Sequence, residues 1–574
     1  MNAESRVGLP RRRPATAGPV AGRVWGAILV VAVAAMALSV PWLAPRATAG
    51  PAVPSQQRVL LVAPNLQTAG NWDFGSLDAP AGMDGMGESV IELQNMASRP
   101  VALEFDLFSN VVSRVVTSAA LGPLAAARFP LESVPNTDFS HYSARISADG
   151  PIGGVVRTTW YGGASTVHEA LTPARELVLP LVAREVYSNS AIIYIKNLSE
   201  PGRTNTIDFE LFEDDGSIRK SWTVKMQGDE ALPDDLFRER VFYRDLPVNA
   251  AGGFIGAFHV VSEDPVAMLI YGDEPIGVGS YALVAKPVTA ANERQYLPLV
   301  RSNYQGDTLI TVTSVERNPV DVTITYQGHP YSPSGAGQTF RQTLRLPARY
   351  YATIDLSELG RGSVAGPDVP RGDGFNTGFL GSAYIRASGR VLAAVWEEYR
   401  ESNYVLGSAA YNAFGPNDLG TVFVSPRAFM AADGQPSFMI AMNPGTEPTD
   451  IRTTLYNDDG TIYGDLYPVR VPAGEMRFIA IATPDYANVR VLMQSTEPVA
   501  MLVLDARPMR DRTIYAAVRM PADVVFPTAT PTVQATEGPS PTTTPLGPAD
   551  TPTVMPPRPP GDYWSFLPAS FRRH

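Results

Sequence analysis

The 574-residue chain contains no cysteine. That excludes disulfides, thiolate metal sites, a cysteine nucleophile and a lipid anchor on cysteine. Histidine is scarce, five in all, which leaves little for histidine-based catalysis. Lysine is scarcer still: Lys196, Lys220, Lys225 and Lys286 are the only four, so 42 of the 46 basic residues are arginine. Positive charge is in deficit, with 46 Lys and Arg against 57 Asp and Glu and a formal net charge of −11. Nucleic-acid binding needs a basic field, so no nucleic-acid partner is expected. Also missing are a phosphate-cradling Gly-rich loop with Lys-Ser/Thr, a His-Glu-x-x-His zinc helix and a Gly-x-Ser-x-Gly elbow. No sustained amphipathic helical pattern follows residue 49. No cofactor is implied.

What is present is ample apolar material, 45% of residues against 18% charged, enough for several cores. Residues 1–49 hold six arginines and one glutamate. An uncharged stretch, Trp25–Val40, follows the basic head, and Ala47-Thr48-Ala49 supplies a small-x-small pattern. These are the three parts of a secretory signal, cleaved after Ala49. The rival reading is an uncleaved anchor over residues 25–43, nineteen residues and just long enough to span a bilayer. Both readings place the rest of the chain outside the cytoplasm, with membrane contact through the N-terminal segment in the second. Removal of residues 1–49 would take the net charge from −11 to −16.

The middle of the chain repeats at roughly 110–125 residues. Each unit opens on a short apolar strand: Leu60–Pro64, Val178–Val182, Tyr296–Val300 and Val422–Pro426. An apolar strand ending in a small polar residue comes next, at Val90–Asn95, Ile192–Asn197, Leu309–Ser314 and Met439–Asn443. Alternating strands follow, such as Val101–Leu107, Ile207–Leu211 and Val320–Tyr326, with turns at Asp214-Asp215-Gly216 and Asp458-Asp459-Gly460. Later comes a strand, a small-polar turn and a second strand, at Ala144–Ile152, Ala257–Val266, Ala383–Val391 and Val491–Val499. Each unit closes on a small-residue and aromatic strand: Thr166–Ala170, Ser280–Val284, Ser408–Ala413 and Thr513–Val518. About seven strands per unit, separated by turn signals, is the pattern of an immunoglobulin-like β-sandwich. A propeller blade would repeat at about 40–50 residues. The expected class is all-β, with four tandem immunoglobulin-like sandwiches at 58–174, 176–292, 294–416 and 420–522. One N-terminal hydrophobic helix precedes them, and a disordered Pro/Thr-rich tail follows.

Residues 526–561 contain eleven prolines and nine threonines, the composition of an extended linker, so 523–562 reads as a stalk. Residues 563–574 then carry Phe566-Leu567-Pro568, an echo of Tyr296-Leu297-Pro298. This orphan strand suggests β-strand addition to an exposed edge, and so self-association through the C-terminal strand. An export signal, tandem β-sandwich repeats, a Thr/Pro stalk and a terminal aromatic-Leu-Pro…Arg segment together resemble exported surface proteins of filamentous, high-GC bacteria. The resemblance covers the layout and the tail, and it implies no catalytic residues.

Few residues suggest chemistry. His141, His168, His259 and His329 lack metal-ligand spacing. The acidic turns at Glu213–Gly216 and Asn457–Gly460 offer oxygen ligands suited to calcium, and turn chemistry also accounts for them. Arg371-Gly372-Asp373 sits in a Gly/Pro-rich insertion and reads as an exposed loop. Aromatics near the late hairpins, Trp160, Tyr161, Trp396, Tyr399 and Tyr404, are candidates for stacking on a glycan or surface polymer. The leading expectation is therefore a non-enzymatic exported surface protein, adhesive or structural, with stacked domains giving reach. Its alternatives are a carbohydrate-binding module array and, third, a secreted glycoside hydrolase.

Overall fold

The computed structural model describes residues 59–67, 88–109, 114–130, 141–159, 165–184, 190–200, 202–213, 218–228, 254–273, 280–357, 362–364, 366–373, 376–401, 404–428, 436–481, 489–506 and 512–520. The N-terminal segment, the stalk and the terminal strand-like segment lie outside them. The described residues are nearly all β-strand with no α-helix, and no described helix is long and apolar enough to cross a membrane. The strands form several sheets arranged as β-sandwich repeats.

The first repeat contains β1 (Val59–Gln67), β2 (Glu88–Asn95), β3 (Val101–Ser109), β4 (Arg114–Leu121), β5 (Ala126–Pro130), β6 (His141–Ala148), β7 (Ile152–Thr159) and β8 (Ser165–Glu169). They form two sheets, ordered β1-β6-β3-β4 and β5-β2-β7-β8. The second contains β9 (Ala174–Arg184), β10 (Ser190–Asn197), β11 (Thr204–Phe212), β12 (Ile218–Gln227), β13 (Phe254–Asp273), β14 (Ser280–Val284) and β15 (Lys286–Pro287). The third runs through β16 (Asn292–Ser302), β17 (Gly306–Ser314), β18 (Val320–Gly328), β19 (Thr339–Leu346), β20 (Tyr351–Asp355), β21 (Phe379–Glu401) and β22 (Tyr404–Asn412). The fourth runs through β23 (Gly420–Ala428), β24 (Ser437–Met442), β25 (Thr449–Tyr456), β26 (Ile462–Val471), β27 (Met476–Ile481), β28 (Val489–Ala506), β29 (Arg512–Ala516) and β30 (Val518–Arg519).

The expected strand-turn-strand late in each unit takes two forms. In the first repeat β6 and β7 are separate strands. In the others β13, β21 and β28 each run on as one long strand, pairing with one set of neighbours along their first half and another along their second. The small polar residues therefore mark a crossing between sheets rather than a hairpin turn. Side chains satisfy the backbone there: Ser262 Oγ donates to the Asp264 carbonyl at 2.7 Å, and Ser495 Oγ to the Glu497 carbonyl at 2.7 Å.

The asparagine ending the second strand of the first, second and fourth units has a comparable role. Asn95, Asn197 and Asn443 are fully buried. Their Nδ2 groups donate to the carbonyls of Gly122, Gln227 and Glu447 at 2.7 Å, so each asparagine ties one arch of its sandwich. A buried amide left without those partners would cost its desolvation, which explains a polar residue at the end of an apolar strand.

The repeats do not stand in a row. β8 packs against β14, β14 against β22, β22 against β29, and β29 back against β8. The first strand of each repeat meanwhile lies on the inner sheet of the next: β1 on β10 and β13, β9 on β17 and β21, β16 on β24 and β28, and β23 on β2 and β7. The four repeats thus close into a ring, in place of the extended stack expected from a tandem array. The physical cause is that the inner sheet of each repeat is buried on both faces. All nine residues of β17 are buried. Alternate residues of the fourth repeat's inner sheet divide between two cores: Met501, Val503 and Tyr515 fill its own, while Ala500, Leu502 and Ile514 join that of the third repeat.

One register position makes the junctions directly comparable. Five residues beyond the partner of the small polar residue stand Arg157, Tyr271, Trp396 and Leu504, opposite Val90, Ile192, Leu309 and Phe438. None is more than 5% exposed. Each reaches toward the preceding repeat. Trp396 and Leu504 belong to the cores of the second and third repeats, and Tyr271 clusters with Leu171 of the first. Arg157 alone is charged, and it meets the fourth repeat.

Candidate functional site

Two of the five candidate stacking aromatics are sealed inside the protein. Trp396 is 0% and Tyr399 3% exposed. Trp396 packs at the junction of repeats 2 and 3, with its ring centroid 5.6 Å from that of Tyr281. Tyr399 lies under the Arg301 guanidinium at 4.9 Å. Neither can present a face to a sugar: packing between repeats has consumed Trp396, and packing within the third repeat Tyr399. Tyr404 begins β22, and only its backbone is described; Trp160 and Tyr161 lie outside the described residues. The Asp214-Asp215-Gly216 turn also lies outside them.

At Asn457–Gly460, Asp459 Oδ1 accepts from the Thr461 amide and hydroxyl at 2.8 and 2.6 Å, and Asp458 Oδ1 accepts from Arg490 at 2.9 Å. The turn is docked on the first repeat, where the Ala126 amide donates to the Asp458 carbonyl at 3.4 Å. No group of three or more His, Asp and Glu is placed to hold a metal ion among the described residues. In the Arg371-Gly372-Asp373 loop only Asp373 is exposed, and the Arg371 carbonyl accepts from Asn303 at 2.9 Å.

The junction that closes the ring, between repeats 4 and 1, holds a buried charge network. Arg157 Nη2 lies 2.6 Å from Asp505 Oδ2, and Ser437 donates to Asp505 Oδ1 at 2.7 Å. Glu92 lies 3.2 Å from Arg427 and 3.6 Å from both Arg128 and Arg157. Burial opposes the charge on Arg157, but Glu92 and Asp505 outweigh it and raise its pKa above the ordinary value. Met96 and Leu124 of repeat 1 pack beside it on Val424, Tyr456, Leu492 and Met520 of repeat 4.

Two other junctions bury a histidine. His168 faces Tyr271, ring centroids 5.8 Å apart, and His329 faces Phe478, also at 5.8 Å. Burial lowers each from 6.5 to about 4, with the charge of Arg477 adding to the effect at His329.

A cleft of about 330 Å³ opens between repeats 2 and 3. His259 on β13 forms part of its wall, with Nε2 2.8 Å from Glu176 on β9 and Nδ1 3.0 Å from Glu210 on β11. Those carboxylates sit on opposite sides of the ring and fix its plane; they do not converge on a shared ligand position. Its partly exposed apolar residues are Val288 and Val315; Phe212, Phe258 and Val178 line it as buried side chains. From repeat 3 come Glu316, Arg317, Arg349 and Arg390. Arg390 Nε donates to Glu316 at 2.8 Å, and this hydrogen bond holds the Glu316 carboxyl below its usual range. Arg317 and Arg349 are exposed, with no side-chain partner among the described residues.

A second cleft, about 230 Å³, lies where the closing strands meet and draws residues from all four repeats. Its charges are already engaged: Lys286 is 2.9 Å from Glu169, and Arg519 donates to the carbonyls of Asn417 and Leu419. Burial opposes the Lys286 charge, but Glu169 and Asp418 raise its pKa.

No single residue type announced either cleft in the sequence. One signal was available for the larger. Leu346-Pro347-Ala348-Arg349 aligns with Val471-Pro472-Ala473-Gly474, setting an arginine against a turn glycine.

No protein-family model matches the chain, and no curated protein matches it. One similar solved structure is titled "Crystal structure of tetra-tandem repeat in extending region of large adhesion protein". It shows 11% identity over 80% of this chain and 99% of that chain, with a TM-score of 0.09. Similarity at that level carries no argument about this protein.

Proposed function

We propose that the protein is a non-enzymatic, exported surface protein whose four immunoglobulin-like sandwiches, spanning 58–174, 176–292, 294–416 and 420–522, form one closed binding head. The observation that carries the reading is the return of β29 onto β8. Closure makes the repeats a single rigid body and removes them as a flexible spacer. Distance from the cell is then the task of the Pro/Thr-rich segment, residues 523–562, and adhesion that of surfaces where repeats meet. The basic head and apolar stretch of residues 1–49 support export.

Fractionation of native cells tests the reading, combined with intact-mass measurement and protease treatment of whole cells. The expected result is an envelope-associated or secreted chain that added protease reaches without lysis. Its mass would begin at Gly50 for a cleaved signal or at Met1 for an anchor. A chain confined to the cytosol would refute it.

A further inference from the structure

The cleft between repeats 2 and 3 carries a feature that packing does not explain. The turn after the fourth strand adopts the same geometry in three repeats. The amides of Ala125, Tyr350 and Glu475 donate to the carbonyls of Gly122, Pro347 and Pro472 at 3.1, 3.2 and 3.2 Å. The residue before each amide is left-handed: Leu124 at φ 55°, Arg349 at φ 53° and Gly474 at φ 73°. Glycine takes this conformation freely, whereas a residue with a Cβ is strained there. Repeat 4 uses the relaxed residue, and space around Gly474 is open. Repeat 1 tolerates the strain with a return in packing, since Leu124 is 6% exposed and sits in the ring-closing apolar cluster. Repeat 3 tolerates it for an exposed arginine whose side chain makes no hydrogen bond or ion pair among the described residues. Strain retained without a packing return points to function.

Charge accounting gives the ligand class. Of the lining carboxylates, Glu316 is ion-paired with Arg390, and Glu176 is hydrogen-bonded to His259. The lining charged groups with no hydrogen bond or ion pair of their side chains among the described residues are the guanidiniums of Arg317 and Arg349. Guanidinium presents a planar fork that matches a carboxylate. Beside it lie the partly buried Val288 and Val315, with Val178, Phe212 and Phe258 buried behind them. A volume of about 330 Å³ is at the small end for organic ligands.

We propose that this cleft binds a small organic carboxylate, its acid group held by Arg349 and Arg317 and its apolar body against the wall of repeat 2. The inference rests on the packing of repeats 2 and 3 and is independent of export.

The test is a fluorine-NMR titration of the full-length protein with 4-(trifluoromethyl)benzoate, against the neutral 4-(trifluoromethyl)benzamide. The expected result is saturable binding of the carboxylate, with the amide about tenfold weaker or more, the scale of a charge-assisted hydrogen bond. Arg349→Gly installs the residue that repeat 4 carries at this turn, so it removes the guanidinium while relieving backbone strain. It should weaken carboxylate binding about tenfold or more with no loss of thermal stability. Arg317→Gln should weaken it in the same direction. Absence of saturable binding at millimolar probe, equal binding of acid and amide, or an affinity unchanged in Arg349→Gly would each overturn the proposal.

Discussion

Replacing Arg157 tests how the ring is closed. Arg157 is 2% and Asp505 0% exposed, and their charged atoms are 2.6 Å apart. At an effective dielectric of about 20 their attraction is roughly 6 kcal/mol, and desolvation of each ion costs several kcal/mol, so the net value of the pair is small. Breaking it is different. Arg157→Leu leaves Asp505 buried with the Ser437 hydroxyl as its remaining side-chain hydrogen bond among the described residues, and should cost about 3–5 kcal/mol. Asp505→Val should cost less, because Arg157 keeps Glu92 at 3.6 Å. The double variant should recover most of the loss. Glu92 retains Arg427 at 3.2 Å, and the register already accepts Tyr271, Trp396 and Leu504 at the other junctions. Chemical denaturation of the four proteins gives the coupling energy, and hydrogen exchange at β8 and β29 separates opening of the seam from global unfolding. A neutral Arg157→Leu, or a double variant as unstable as the sum of the singles, would refute the reasoning.

Three further predictions follow from the same junctions. His168 and His329 stay neutral when folded down to about pH 4. Below pH 6.5 the unfolded chain takes up protons that the native one does not. Stability is therefore greatest above 6.5 and falls as pH drops toward 4, by up to about 1.4 kcal/mol per pH unit for each histidine. Urea midpoints from pH 7.5 to 5 should fall less steeply in a His168→Gln/His329→Gln variant, and an unchanged slope would reject the assignment. Trp396→Ala should cost about 3–5 kcal/mol, as removal of a buried aromatic does, and its midpoint shift in denaturant measures it; wild-type stability would contradict its burial. Gly460 has φ 86°, and a Cβ there would lie 2.7 Å from the Pro123 carbonyl of the first repeat. Gly460→Ala should therefore cost about 1–2 kcal/mol in backbone strain before the clash is counted, and exchange should rise at Ala126; unchanged exchange would show that the turn does not hold the seam.

The sequence by itself determined the strands and their period. Alternation in Ile207–Leu211 and Val320–Tyr326 follows directly from one buried face and one wet one, and the structure keeps it as β11 and β18. The terminal asparagines were legible as landmarks, although their role in tying the arches was not. The stretch Val499–Leu504 is apolar without alternation, which signals burial on both faces. What covers the second face is a long-range matter, and no local pattern encodes it. Only the tertiary structure decided that the covering surface is the preceding repeat and that the last repeat covers the first. It thereby turned Trp396 from a candidate binding surface into packing between repeats, while Tyr399 went into its own repeat's core, since an aromatic residue has the same local signature in either setting. The cleft between repeats 2 and 3 was hidden for a related reason. His259 meets Glu176 and Glu210 across neighbouring strands, and these face Arg317 and Arg349 from another repeat, so the site exists only where two sandwiches are held together.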